Sequence, residues 1–398
     1  MKRVYVLMVS FLCSLGVLMG CTPPPTPPVQ ENVSEEETLT KQLLSNEVTS
    51  EYYRTMLPYK SSPTRGLIYS SKVSKVTNRY DIDELELALM RESQAYFNPE
   101  EVYFQEGQYL TKPTVRELLA KKKTAAELAT ELELNPDYVD IGLNPASDEM
   151  INIKGVDVNP VYLAYLLEQD YVIPTDDEAG QSLEGVTIGL ALNPYQTWKN
   201  ELDYDQTIVL DEETLIQKGK EIAQETIDIL RTQEGFETVP IMIGLYIVQE
   251  ESAATPGHMV AKTLVSAQSS QIKDWQAVNE QYYLLPDNNT LEFDANLSNQ
   301  FSTFKQTIKE YYPHYYGIIG IAHSVNDQLV NLDITVNIEF YGLAEKLSFH
   351  QLLAKLIPET FSPEYNIDIV IRSSDEIYGI LQRQSNEKEV TLKLTGWK

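Results

Sequence analysis

Apolar and polar positions change rhythm several times along this chain, and each rhythm predicts a different kind of element. Val4 to Val17 is a mostly apolar run behind Lys2 and Arg3, interrupted by Gly16 and by the weakly polar Tyr5, Ser10, Cys13 and Ser14. It is shorter than the roughly 20 apolar residues needed to cross a bilayer and stops at a small residue beside a cysteine, so residues 1–20 read as a cleavable signal peptide. From Cys21 to about Ser50 large apolar residues are sparse and prolines and glutamates frequent, which predicts a solvated, disordered tether over 21–50. Residues 51–175 then mix helical spacing with short strands: Ile82, Leu85, Leu87, Leu89 and Met90 precede Asn98-Pro99, and Val115, Leu118 and Leu119 follow Pro113. Asp157 to Gln169 reads as a further helix, opened by Pro160 and carrying Val161, Tyr165 and Leu166 on neighbouring turns. A first, helix-richer α+β domain is expected over 51–175.

Pro174 to Gly185, with Asp176-Asp177-Glu178 and two glycines, is the expected boundary to a second α+β domain over 176–398. Strands are predicted at 185–192, 239–249, 259–266, 317–324, 329–340, 367–372, 377–381 and 390–394, and helices at 212–230, 296–309 and 343–356. Between the fourth and fifth of these strands, Val325-Asn326-Asp327-Gln328 has the centre of a tight antiparallel reversal. Leu332, Ile334, Val336 and Ile338 alternate with polar residues, as on a half-buried strand. No repeat of fixed period is visible, and strands and helices do not alternate regularly. The expected fold is therefore α+β: a two-domain body with a mixed or largely antiparallel sheet packed by helices, behind the signal peptide and tether.

Only two cysteines occur, Cys13 and Cys21. Leu18-Met19-Gly20-Cys21 resembles the lipobox of bacterial prolipoproteins, with Met19 where a small residue is usual. That resemblance implies cleavage between Gly20 and Cys21 by lipoprotein-processing machinery and a diacylglyceryl thioether on Cys21. Two acyl chains satisfy the physical requirement for a stable anchor. Cys13 then leaves with the signal peptide and Cys21 is capped, so disulfides, thiol catalysis and cysteine metal sites are excluded from the mature chain. The net charge of −28 becomes −30 once Lys2 and Arg3 are removed. Such a charge argues against nucleic-acid binding and for a soluble body held off an anionic membrane.

Candidate chemistry adds little. His258, His314, His323 and His350 are the only histidines, and none has metal-ligand spacing. Asp81, Asp83, Glu84 and Glu86 stand where a helix should begin and complement its dipole. Asp287-Asn288-Asn289 lacks the spacing of a calcium loop and reads as a turn. Tyrosine outnumbers phenylalanine 25 to 10, and adjacent pairs occur at 52–53, 282–283, 311–312 and 315–316. On strands, such pairs put one ring in the core and one in water. Phosphate-binding glycine loops and nucleophile elbows are absent. No catalytic residue, cofactor or metal site is assigned, and the chain is not expected to be an enzyme.

Four strings carry a further resemblance: Tyr52-Tyr53-Arg54-Thr55-Met56-Leu57-Pro58, Arg65-Gly66-Leu67-Ile68-Tyr69, Phe104-Gln105-Glu106-Gly107-Gln108-Tyr109-Leu110 and Gly142-Leu143-Asn144-Pro145. They resemble the CamS family of sex pheromone lipoproteins. The resemblance implies that a fragment of the discarded signal peptide serves as a secreted peptide pheromone, here Ser14-Leu15-Gly16-Val17-Leu18-Met19-Gly20. It also implies a body of undefined role on the outer face of the cytoplasmic membrane of a Gram-positive bacterium. The alternative reading is a lipid-tethered receptor for a solute, peptide or cell-wall fragment, and a wall-directed hydrolase is a third. The partners expected are the membrane, the processing machinery and a peptide or cell-wall ligand, with no nucleic acid.

Overall fold

A computed structural model of the chain describes residues 52–175, 180–315, 317–374 and 376–395. The signal peptide, Cys21, the tether and Asp176-Asp177-Glu178 lie outside them. Two sheets, each over its own hydrophobic core, account for most of the described residues.

The first part runs β1 (Arg54–Thr55), α1 (Arg79–Ser93), β2 (Tyr103–Glu106), α2 (Lys112–Leu118), α3 (Ala125–Leu134), β3 (Ile151–Ile153), β4 (Val156–Val158), β5 (Leu163–Pro174) and β6 (Gln181–Leu192). It continues through β7 (Tyr195–Lys199), β8 (Asp205–Val209), α4 (Glu212–Leu230), β9 (Ile241–Ile247), β10 (His258–Val265) and β11 (Gln276–Ala277). The sheet order is β1-β2-β5-β6-β9-β10-β11, with β3–β4 and β7–β8 as separate two-stranded ribbons. The second part comprises β12 (Glu280–Leu285), α5 (Asn288–Phe293), α6 (Ala295–Tyr311), β13 (Gly317–Val325), β14 (Gln328–Asn337), α7 (Leu343–Thr360), β15 (Asn366–Arg372), β16 (Ile377–Arg383) and β17 (Thr391–Leu394). Its six strands lie side by side in chain order.

The two sheets share one connectivity. From β2 to β11 successive neighbours pair antiparallel, antiparallel, parallel, antiparallel and antiparallel, and β12 to β17 repeat that series. Two α-helices fall between the first and second strands of each series, and a single long helix, α4 or α7, makes each parallel crossover. The chain thus contains a repeat of topology rather than of sequence period, which spacing in the sequence does not show.

Local sequence explains the elements that match expectation. Helix α4 starts where Asp211 accepts from the Thr214 amide, and it buries Leu215, Gly219, Ile222, Ala223, Thr226, Ile227 and Leu230 along one face. The β13–β14 reversal places Asn326 and Asp327 at φ 52° and 61°, the left-handed pair that a two-residue hairpin requires. On β14, Leu332, Ile334 and Val336 are fully buried.

Two expectations are corrected. Asp157 to Gln169 is not a helix: Val156–Val158 closes a small ribbon, and Leu163–Pro174 is a central strand of the seven-stranded sheet. Leu163 to Leu166 and Tyr171-Val172 are buried on both faces, so the apolar run is continuous, and helical spacing within it was coincidental. The expected domain boundary at 174–185 also moves. Pro174 pairs with Gln181 and Tyr171 with Gly185, so the described residues on both sides of 176–179 belong to one sheet. The change of sheet falls between Ala277 and Glu280, and strands from both sides of the expected boundary share the first core.

Candidate functional site

The parallel strands β6 and β9 end side by side, with Leu192 opposite Ile247. A crevice outside the carboxyl ends of parallel strands is where α/β sheets characteristically receive ligands. Here it holds a groove of about 700 Å³. Asn193 and Val248 continue the two strands into it, Thr197 and Thr207 bring the β7–β8 ribbon to one side, and Lys75 and Lys121 reach in from loops.

Most amides of the groove hold its walls. Asn193 Nδ2 donates to the carbonyls of Val161 and Tyr195 at 3.2 and 2.9 Å, and its Oδ1 accepts from the Tyr195 amide at 3.1 Å. Gln196 Oε1 accepts from the Val161 amide at 2.8 Å, and Gln249 Oε1 accepts from the Tyr195 hydroxyl at 2.6 Å. The charged groups are left for chemistry. Among the described residues, neither the Lys75 nor the Lys121 ammonium has a carboxylate partner. Partial burial, and then the charge of Lys75, push the Lys121 pKa down. Glu250 and Glu251 lie in the same groove.

Two side chains at the start of α1 fix the 249–257 wall. Asn78 caps the helix through Oδ1, 2.8 Å from the Tyr80 amide, while its Nδ2 donates to the Glu250 and Ala253 carbonyls at 2.8 and 3.1 Å. Asp81 is fully buried and accepts from the Tyr246 hydroxyl, the Gln249 amide and the Gly257 amide at 2.9, 2.8 and 2.6 Å. Burial raises its pKa and the three hydrogen bonds counter that rise. Gly257 is required here, because a Cβ would stand 1.9 Å from the Ile247 carbonyl oxygen. Asp81 therefore does more than complement a helix dipole, and only its long-range partners reveal this.

A second buried cluster explains one of the quoted strings. The Gln108 amide donates to Asp170 Oδ2 at 2.9 Å, and the Tyr109 and Leu110 amides donate to the two Glu168 oxygens at 3.0 and 2.9 Å. Burial raises both carboxyl pKa values, and the Glu168 charge drives Asp170 well above the carboxylate range. The two carboxyls thus titrate as an interacting pair, with Asp170 the more strongly shifted. Gly107 must lack a side chain because a Cβ would meet Glu168 Cγ at 2.4 Å. The neighbouring cavity is about 80 Å³, so the pair braces a loop rather than facing a ligand-sized space.

The other strings are equally architectural. Glu106 gathers an ion pair with Arg65, the Tyr59 hydroxyl at 2.7 Å and the Ser62 amide at 2.7 Å. Buried Asn144 donates to the Leu119 and Leu163 carbonyls at 2.9 and 3.1 Å and accepts from the Leu163 amide at 2.9 Å. Tyr53 is buried, with its hydroxyl 2.6 Å from the Phe97 carbonyl, while Tyr52 is exposed; both precede β1 rather than lying on it.

The remaining sequence candidates are dispersed. Ser14 to Gly20 and Cys21 lie outside the described residues. His258 stands 3.8 Å from Glu212, His314 2.8 Å from Glu345 and His323 3.4 Å from Glu280, and buried His350 donates to the Lys346 carbonyl at 2.6 Å. Asp287 caps α5 through the Asn289 amide. At the second sheet, the position equivalent to the groove is packed with aromatics, Phe340 lying 5.3 Å from Phe349 and 5.0 Å from Tyr378. Glu168, Asp170 and the groove lysines were missed; two acidic residues inside an apolar strand were the available signal for the first pair.

Fold and site together define a two-sheet α+β protein with one open groove at a parallel-strand switch. The family model described as CamS sex pheromone cAM373 precursor matches residues 59–389, and the chain belongs to that family. A crystal structure of a sex pheromone precursor from Lactobacillus salivarius subsp. salivarius superposes with a TM-score of 0.76 at 25% identity, covering 89% of this chain and 99% of that one. The C-terminal domain of the sex pheromone staph-cAM373 precursor from Staphylococcus aureus shares the fold, with a TM-score of 0.68 at 24% identity, over 82% of this chain and 99% of that one. No curated protein matches the chain.

Proposed function

We propose that the chain is a precursor of two products: a lipid-anchored extracytoplasmic binding protein and a small secreted peptide. Processing before Cys21 leaves the diacylglyceryl-bearing body on the outer face of the cytoplasmic membrane of a Gram-positive bacterium. The discarded segment supplies Ser14 to Gly20 as a pheromone. Family membership and the residue pattern of 1–21 support this part. Peptide mass spectrometry of culture medium tests it: a peptide ending at Gly20 is expected, and lipidated body accumulating with no trace of 14–20 would overturn the pheromone reading.

The body acts by binding rather than catalysis, and the groove carries that reading. Lys75 and Lys121, without ion-pair partners among the described residues, share the groove with Glu250 and Glu251, and the two ammonium groups are its points of attraction for an anionic group in a chain with 59 acidic and 31 basic residues. A peptide or cell-wall fragment with a carboxylate or phosphate fits it. Titrating wall peptides in thermal denaturation should give a saturable rise in Tm that Lys75→Gln and Lys121→Gln abolish. A flat response, or a rise indifferent to both substitutions, contradicts the reading.

A further inference from the structure

A second polar cavity, of about 450 Å³, lies where the polar face of the six-stranded sheet meets the end of α1. The strand register assembles that face. His323, Asn331 and Asn366 are direct partners across β13, β14 and β15, and Asp333, Asp368 and Gln382 form the next row across β14, β15 and β16. Directly paired side chains on one sheet face stand about 5 Å apart. Helix α1 supplies Arg91, whose Nη2 lies 2.7 Å from both Glu84 Oε1 and Glu280 Oε1. Tyr282 donates to Glu84 Oε1 at 2.6 Å and stacks on His323 at 4.5 Å.

Two independent features mark a site for a ligand. Glu280 lines the cavity while only 1% exposed, yet its Oε2 has no hydrogen-bond partner, and the Asn331 Oδ1 beside it has none either. His323 Nε2 and the Arg91 Nε donor at the same cavity are also without hydrogen-bond partners; Glu280 Oε2 and Asn331 Oδ1 are the two oxygen acceptors among the four. The charge is also unbalanced: Glu92, Glu280 and Asp368 line the cavity with Arg91 as the lining cation, Lys262 pairs with Glu92 at 2.5 Å from outside the lining, and Asp333 pairs directly with Asp368 in the strand register. A buried acceptor left unpaired is costly, and surplus carboxylates attract a cation with N–H donors. Among the described residues no cluster of three or more His, Cys, Asp or Glu is arranged to hold a metal ion. An organic cation meets the two oxygen acceptors and the carboxylate surplus.

We propose that this cavity binds a primary ammonium group carried on a polar scaffold, with Glu280 Oε2, Asn331 Oδ1 and the Asp368 carboxylate as its acceptors. An amino sugar and the free amino end of a peptide share this chemistry. Burial, then the Asp368 charge, raise the Asp333 pKa to about 6, while Asn331, His323 and Glu84 also face that group. Neutralising Asp333 below pH 6 removes part of the attraction, so binding should weaken as pH falls.

Calorimetric titration of the intact chain with glucosamine, triglycine and their N-acetylated forms tests the site. Saturable binding is expected for one or both free amines and for neither acetylated form; which amine binds distinguishes the two sources. Affinity should fall at least tenfold in Glu280→Gln and in Asp368→Asn, and decline from pH 7.5 to pH 5. Asp368 is half-buried and its replacement leaves the Arg91–Glu280 pair intact, so that variant stays informative if Glu280→Gln fails to fold. Equal binding of acetylated forms, no saturation with any of the four probes, or amine binding lost in Lys121→Gln but not in Asp368→Asn would each overturn the proposal.

Discussion

Asp81→Ala removes the carboxylate that ties the 249–257 wall of the groove to α1. The substitution leaves the Tyr246 hydroxyl and the Gln249 and Gly257 amides without acceptors they now reach at 2.9, 2.8 and 2.6 Å. An unpaired buried donor costs about 1–3 kcal/mol, and relief of carboxylate burial offsets part of the sum, so the expected loss of stability is about 3–4 kcal/mol. Urea denaturation measures it, and amide hydrogen exchange should quicken in 249–257 more than elsewhere. The pH dependence has a definite sign. Because the folded pKa is raised, the folded state holds the Asp81 proton more tightly between the unfolded and folded values, and this contribution to stability declines as pH rises through that window. Asp81→Asn should lack that decline. A loss below about 1 kcal/mol together with unchanged exchange in 249–257 would refute the reasoning.

Asn144→Ala, which deletes three hydrogen bonds at a buried crossing, should cost about 2–4 kcal/mol in thermal or urea denaturation; a near-neutral result contradicts its role. In the buried pair, Asp170→Asn keeps an amide oxygen for the Gln108 amide and removes a carboxyl crowded by the Glu168 charge, so stability at pH 7 should change by less than about 1 kcal/mol. Glu168→Gln weakens two contacts to backbone amides and should be the more damaging; the reverse ranking contradicts the bracing role given to Glu168. Asp327→Gly, at φ 61°, should raise stability by about 0.5–1 kcal/mol by relieving a left-handed residue in the hairpin turn, and a loss would contradict that turn geometry.

Local patterns were legible wherever a single face is buried. The bounds of α4 and the β13–β14 hairpin follow from helical spacing, a capping aspartate and an Asn-Asp turn, all within a few residues of chain. Strand β5 was misread because burial on both faces erases the alternation that distinguishes a strand from a buried helix. The expected domain boundary was misplaced because acidic and glycine punctuation does not reveal that the flanking strands β5 and β6 pair within one sheet. Neither candidate ligand site could be found by spacing, since Lys75 and Lys121 converge through separate loops and Arg91 meets Glu280 across 189 positions. The repeated connectivity was hidden because topology is kept without a sequence period.

As proposed, the groove at the ends of β6 and β9 makes the body a receptor for an anionic peptide or wall fragment. Hydrogen exchange of the intact chain with and without a saturating wall peptide measures this most directly. Slowed exchange is expected in 193–197 and 248–251, and its loss in the Lys75→Gln, Lys121→Gln double variant. Protection confined to other segments, or unchanged in that variant, would contradict it.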